Sequence, residues 1–434
     1  MDVRKYFSDD VKVTPYWWEA APLADIPGET PPGRADVVIV GSGFSGLSAA
    51  ITTAEAGLDT VVIEAKAPGE GASTRNGGAV GDTLRISYST MTQDWGRKRA
   101  DAYYLAVREA REHLESLVGE GGSIACHYAR VGRFIGAHKP QDYESLARDL
   151  EVRRKAIGFD AEMVPASEVH RMIGSDAYCG GRLIKSDANL HPGLFHQGLL
   201  RRALAAGVRV IAHTPVTSYA KDGEDFRIGT TRGAIRARHL VVATNGYTEQ
   251  LSPWLARRVI PIQSQIIATE PLPEETIERL IPQRRQLGDT RMLHNYFRTS
   301  PDGTRILFGG RAGATETEDR LKSAAALRLQ MIDVFPELAK VRLSHAWAGL
   351  IAYTFDSLQH MAMKDGVHYI GGCCGSGVAI QPYLGHKTGL KILGRKEAET
   401  PFDRVAKTMP GYTGWPWFMP IVLFYYGVRD RFRV

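Results

Sequence analysis

Three glycines, Gly41, Gly43 and Gly46, stand at the G-x-G-x-x-G spacing directly behind the apolar run 37–40 (VVIV), and Glu64 closes a second apolar run 23 positions after the first glycine. Those residue types at that spacing suit a pyrophosphate and a ribose. The first glycine permits a tight turn, the second lets the backbone approach the phosphates, and the third lets a helix lie close on its strand. Phe44 and Ser45 lead into that helix, 46–57, whose first N–H groups and dipole attract anions. Glu64 accepts ribose hydroxyls, with Ala65 and Lys66 beside it. A second group follows in residues 69–78 (GEGASTRNGG): Gly71, Ala72, Ser73, Thr74, Arg75, Asn76, Gly77 and Gly78. A plain nicotinamide domain would continue here with another helix and strand. A polar, glycine-dense loop suits a longer dinucleotide running inward, with backbone amides and Arg75 meeting phosphate and ring oxygens. The alternative is a solvated turn.

Residues so placed need a parallel sheet beneath them. The runs 37–40 and 60–63 read as neighbouring buried strands joined by the helix. A helix over 194–207 and the runs 208–211 and 214–216 make another such element, with His191 and Pro192 at the helix start. The run 240–243 ends in small residues, Ala243, Thr244, Asn245 and Gly246. The strand 367–370 is followed by a Gly/Ser cluster holding Gly375 and Gly377. That cluster opens a helix through Val378 and Ala379, aiming its dipole at whatever docks there. Between these elements, residues 260–270 alternate as a strand and place Gln263 and Gln265 on one face. Residues 289–298 alternate likewise and group His294, Tyr296 and Arg298, with 305–310 pairing across a turn. A tyrosine and an arginine facing one cavity can bind a carboxylate or carbonyl. Arg298 and Arg311 serve equally well as intra-sheet or surface ion pairs. Residues 1–34 read as an irregular arm, 88–119 as a helical stretch and 129–137 as a strand pair. His127, His138 and His170 read as ordinary polar residues.

The segments ADVVIVGSGFSGLSAA, VVIEA and GEGASTRNGG resemble the FAD-dependent amine and amino-acid oxidoreductases of the D-amino-acid-oxidase superfamily, most of all its bacterial γ-glutamylputrescine oxidoreductase-like branch. Thr74 departs from the glycine of the branch's ASGRNGG-type segment. The resemblance continues through ATNG at 243–246, LFGG at 307–310 and the W.G…T.D pattern from Trp347 and Gly349 to Asp356. It implies that Val216 lies at the adenine end and that Trp347 and Gly349 return the chain to the flavin. It also implies that the face bearing Gln263 and Gln265 covers the flavin ring. Relatives that tether the flavin carry a cysteine where this chain has Ile351 and Ala352, which implies non-covalent FAD. The implied fold is α/β (mixed α+β): a Rossmann-type FAD-binding domain from separated segments (35–90, 180–259, 345–400) with an inserted β-sheet substrate domain (91–179, 260–344). The implied reaction removes a hydride from the carbon beside an amine, giving an imine that hydrolyses, with oxygen or a quinone-linked acceptor reoxidising the flavin. A nicotinamide-dependent dehydrogenase, or a flavin-bearing binding protein without turnover, are the alternatives.

Composition sets the outer limits. The chain's 434 residues exceed what one hydrophobic core supports, which predicts two interleaved domains. A net charge of +6, without a dense basic run interleaved with aromatics, argues against a nucleic-acid partner. Four cysteines at 126, 179, 373 and 374 form no disulfide framework and no metal-ligand spacing. With no signal-peptide pattern, they point to the cytoplasm. The tail, 401–434, ends in an apolar, aromatic stretch too short to span a bilayer and then in Arg429, Arg431 and Arg433. It reads as a subunit contact, a lid, or a peripheral anchor on the inner face of the membrane.

Overall fold

The computed structural model describes residues 2–311 and 319–432. The side chains of Arg431 and Arg433, and with them part of the tail's basic character, lie outside the described residues. Two sheets organise the chain. In the first, of eight strands, Arg34–Val40 lies between Thr60–Ile63 and Gly233–Val242, all parallel, with Arg209–Ile211 and Val367–Gly371 extending it on either side. Val37, Val38, Ile39, Val61, Val62 and Leu240 have no exposed surface, as a sheet covered on both faces demands. Each such side chain contributes at most about 1.5–3 kcal/mol. The helices Phe44–Glu55, Arg97–Val118, Pro192–Ala205 and Gly377–Ile392 cover one face and share its core.

The second sheet has nine strands. Its spine is Ile260–Thr269, antiparallel to Leu343–Tyr353 on one side and to Ile306–Gly310 on the other. The helix Arg320–Val334 covers one face through Leu327, Met331 and Val334. The mixed α/β architecture with two sheets is the one expected, and several details differ. Residues 1–34 contribute a strand, Phe7–Lys12, parallel to Leu343–Tyr353, and a short helix, Trp17–Ala20. Residues 129–137 give one strand, Arg133–Gly136, whose partners come from elsewhere in the chain. Gly180–Ile184 joins the nine-stranded sheet instead of the eight-stranded one. The helical stretch 88–119 breaks at Gly96, whose φ of +85° suits glycine. The alternation over 289–298 is interrupted: Gln286–Asp289 and Tyr296–Thr299 are separate strands. The Asp289 carboxylate folds the loop between them by accepting from the amides of Arg291 and Asn295 at 3.3 and 3.0 Å.

Candidate functional site

A cavity of about 1930 Å³ runs from the glycine turn behind the first strand to the face of the nine-stranded sheet. Its end at the glycine turn is built as the glycine spacing requires. Gly41 has a φ of +102°, and a Cβ there would lie 3.1 Å from the Ala243 carbonyl oxygen. A Cβ on Gly46 would lie 1.9 Å from the Gly41 oxygen, so only glycine lets helix and strand meet. The helix Phe44–Glu55 carries no side-chain cap at Gly43, although its Phe44 amide donates to the Ser73 hydroxyl at 3.0 Å, and Gly377–Ile392 carries none at Ser376. Two helix N-termini thus open at one cavity, where a pyrophosphate or an electron-rich ring edge would meet them. The Glu64 carboxylate is fixed by three donors: the Ser42 amide at 2.9 Å, the Ser42 hydroxyl at 2.7 Å and the Lys66 amide at 3.0 Å. Beneath this turn the fully buried His196 ring donates from Nε2 to the Ser42 carbonyl at 2.8 Å, and burial pushes its pKa down to about 4.

The loop after Glu64 is held from behind by the N-terminal arm. Trp17 and Trp18 donate their indole N–H groups to the Asn76 carbonyl at 2.8 Å and the Thr74 hydroxyl at 2.9 Å. Trp347 donates to the Arg75 carbonyl at 3.0 Å. Arg75 lines the cavity, but its guanidinium donates to the carbonyls of Glu70 and Ala348 at 2.6 and 3.1 Å, which ties the loop to Leu343–Tyr353. Asn76 clamps its own turn through the Ser73 carbonyl and the Gly78 amide, both at 2.9 Å. Arg298 backs the same loop. It is buried, donates to the carbonyls of Gly77 at 3.3 Å and Leu190 at 2.8 Å, and desolvation brings its pKa down to about 10.

Of the residues expected at the cofactor, the cavity brings together Gly41, Gly43, Phe44, Ser45, Glu64, Ala65, Lys66, Gly71, Ala72, Ser73, Arg75, Asn76, Gly77, Gly78, Val216, Ala243, Thr244, Gly349, Gly375, Gly377 and Val378. Gly46, Thr74, Gly246, Trp347 and Ala379 stand one layer behind that lining. On the sheet side Gln263, His294 and Tyr296 line the cavity, while Gln265 and Arg298 do not. Gln265 points to the opposite face, bonded to the Arg320 carbonyl at 3.1 Å and the Ser323 hydroxyl at 2.7 Å. Ser264 lines the cavity from the strand Ile260–Thr269, and Gln263 beside it lines the cavity too, so strict alternation does not hold at this wall. Arg311 also faces the cavity, its guanidinium 5.0 Å from the Tyr353 ring centre. His191 caps the helix Pro192–Ala205 by accepting from the Leu194 amide.

Tyr296 is the best-defined polar group at that end. Its hydroxyl pairs with Ser264 at 3.0 Å, and burial pushes its pKa up to about 12, so it remains a neutral phenol. His294 donates from Nδ1 to the Asp289 carbonyl at 2.7 Å, which leaves Nε2 as an acceptor. Sequence reasoning missed Ser264, Tyr247, Gln286, Arg320 and Trp415, all of which line the cavity. No motif carries them. Only Ser264 had a signal, as the neighbour that alternation puts opposite Gln263 and Gln265.

These features fit a dinucleotide carrying a ring system: two helix N-termini at one cavity, glycines that admit no Cβ, a carboxylate fixed by three donors and a loop braced from behind. The comparisons agree. Residues 36–389 match the family described as DAO, FAD dependent oxidoreductase. The chain is 32% identical over 430 residues to the probable oxidoreductase OrdL of Rhizobium meliloti (strain 1021), covering 96% of this chain and 97% of the relative. It is 29% identical to the gamma-glutamylputrescine oxidoreductase of Escherichia coli (strain K12), covering 92% and 93% respectively. The crystal structure of glycine oxidase from Geobacillus kaustophilus superposes with a TM-score of 0.70 at 21% identity, covering 86% of this chain and 97% of that one, and shares the fold. With the family matched over residues 36–389 and a relative 32% identical along nearly the whole chain, the chain belongs to the DAO family of FAD-dependent oxidoreductases.

Proposed function

We propose that this oxidoreductase oxidises the C–N bond of a primary or secondary amine or an amino acid, with FAD held non-covalently. The observation that carries the reading is the single cavity joining the dinucleotide cradle to a wall of polar side chains on the substrate-side sheet: Gln263, Ser264, His294, Tyr296, Arg311 and Tyr353. FAD bound there supplies the hydride acceptor, and the imine released hydrolyses to a carbonyl compound and a free amine. Tyr296 and Ser264 orient a polar substrate group without changing protonation. The His294 Nε2 lone pair takes a proton from an ammonium substrate, leaving the neutral amine that hydride loss requires. Arg311 and Tyr353 face the same space and suit a carboxylate or carbonyl on the substrate. Cys373, which also lines the cavity, turns its thiol to the Ala352 carbonyl 3.7 Å away, consistent with an untethered cofactor. All four cysteines are free.

The names of two relatives give the amines to try first, γ-glutamylputrescine and glycine; sarcosine, proline and D-amino acids complete the panel. The purified protein is expected to show a flavin spectrum that bleaches anaerobically with one class of this panel. Air then restores the spectrum if oxygen is the acceptor, and a soluble quinone restores it if the acceptor is quinone-linked. Denaturation in acid is expected to release free FAD. A flavin spectrum that no amine bleaches would overturn the amine assignment and favour a flavin-bearing binding protein.

A further inference from the structure

The C-terminal helix Met419–Phe432 has two faces, and the fold uses only one. Met419 and Leu423 are buried against Ile260 and Tyr412, with Phe418 and Val422 packed beside them. The opposite face exposes Ile421 (69%), Phe424 (74%), Tyr425 and Val428. Positions 421, 424, 425 and 428 follow the i, i+3, i+4, i+7 spacing of a single stripe. Trp415 (75% exposed) and Trp417 continue it ahead of the helix. Large apolar side chains grouped this way on a surface mark an interaction site.

Charge selects the occupant. Asp430 is the only acid in residues 411–434. Its carboxylate is turned inward, accepting the amides of Met292 and Leu293, both at 2.8 Å. Arg429 stands over the Tyr425 ring at 5.9 Å, and Arg431 and Arg433 follow in the sequence. The stripe therefore ends in positive charge without an outward-facing acid of its own segment. Anionic headgroups complement that charge, and tryptophan and tyrosine rings suit the headgroup layer. A second copy would bring the same sign of charge to the same end. Among the described residues no helix is long and apolar enough to cross a membrane, so a lipid-bound helix would lie in the interface.

We infer that Met419–Phe432, with Trp415 and Trp417, is a docking face for an anionic lipid surface. The face borders the substrate end of the cavity. Trp415 lines that cavity, and Asp430 holds the loop that brings in Met292 and His294. Docking thus sets the cavity beside the headgroups. The inference does not depend on which amine is oxidised, and its readout needs no turnover.

The test is co-sedimentation of the full-length holoenzyme with phosphatidylcholine vesicles, with and without phosphatidylglycerol, together with quenching of tryptophan emission by brominated lipid. Binding is expected to require phosphatidylglycerol and to weaken as salt rises. Ile421→Ser with Phe424→Ser is expected to weaken it about tenfold or more while the flavin spectrum and melting temperature stay unchanged. Absence of sedimentation and of quenching with wild-type holoenzyme would overturn the inference. So would a concentration-dependent dimer that the double variant dissociates, since the face would then belong to a second copy.

Discussion

Glu64 combines two duties. Its carboxylate accepts three protein donors around the glycine turn, and it lines the cavity where a ribose would sit. Charge-assisted bonds of this kind contribute about 1.5–3 kcal/mol each. Glu64→Gln is therefore expected to weaken FAD binding by about one to two orders of magnitude, read by titrating the apoprotein with FAD and following fluorescence. At the substrate end, Tyr296→Phe removes the bond to Ser264 and leaves the ring in place. About a three- to tenfold fall in kcat/KM is expected, roughly the contribution of one neutral hydrogen bond. Because the phenol's pKa lies near 12, Tyr296 supplies no alkaline limb to the pH–rate profile of the wild type below about pH 10. Residue types were legible here where a motif fixes them. Gln265 shows the limit: alternation grouped it with Gln263 on the cavity side, and only Gln263 lines the cavity, because the helix Arg320–Val334 engages Gln265.

At the scale of elements, the site depends on close packing between the helices Phe44–Glu55 and Gly377–Ile392. A Cβ on Gly385 would lie 2.1 Å from the Ser45 carbonyl oxygen, and one on Gly389 would lie 2.6 Å from the Thr52 Cβ. Both helices begin at the cavity, so spreading them moves two helix N-termini together. Gly385→Ala is expected to destabilise the fold by about 2–4 kcal/mol, lowering the melting temperature and the fraction of bound flavin. Gly33→Ala, where a Cβ meets nothing within 4 Å, is the control and is expected to leave both unchanged. The strand–glycine–helix unit was readable because its period and spacing are local. The arm was not. Trp17 and Trp18 look like any aromatic pair until the fold sets them against residues 74–76, nearly sixty positions away.

Across the whole molecule, acid is the condition to which the fold is most exposed. Burial pushes the pKa of His191, His196 and His368 down to about 4 from an ordinary 6.5. A folded value below the unfolded one means that the unfolded chain binds more protons, so stability present above about pH 6.5 is lost as the pH falls towards 4. For the fully buried His196 the loss amounts to about 3 kcal/mol. Since its ring supports the Ser42 carbonyl in the phosphate turn, acid is expected to release FAD along with lowering stability. His196→Gln is expected to flatten the fall in melting temperature between about pH 6.5 and 4, followed with released flavin by fluorescence. An unchanged slope in the variant would show that other groups govern the acid transition.

The sequence by itself determined the strand–glycine–helix unit and the α/β class, and its resemblance to a family pointed to FAD. The first two rest on local spacing: glycines where no Cβ fits, an acid at a strand's end, apolar runs with a fixed period. The tertiary structure decided everything built from distant segments. It turned Ser264 rather than Gln265 to the cavity, because the helix Arg320–Val334 takes the other face of that strand. It withdrew Arg298 from the cavity to brace the loop at Gly77, where two carbonyls needed a donor. It also left one stripe of the final helix bare, because the core had room for only one of its apolar faces. Spacing along the chain fixes what a residue can do, while packing across the chain fixes what it faces.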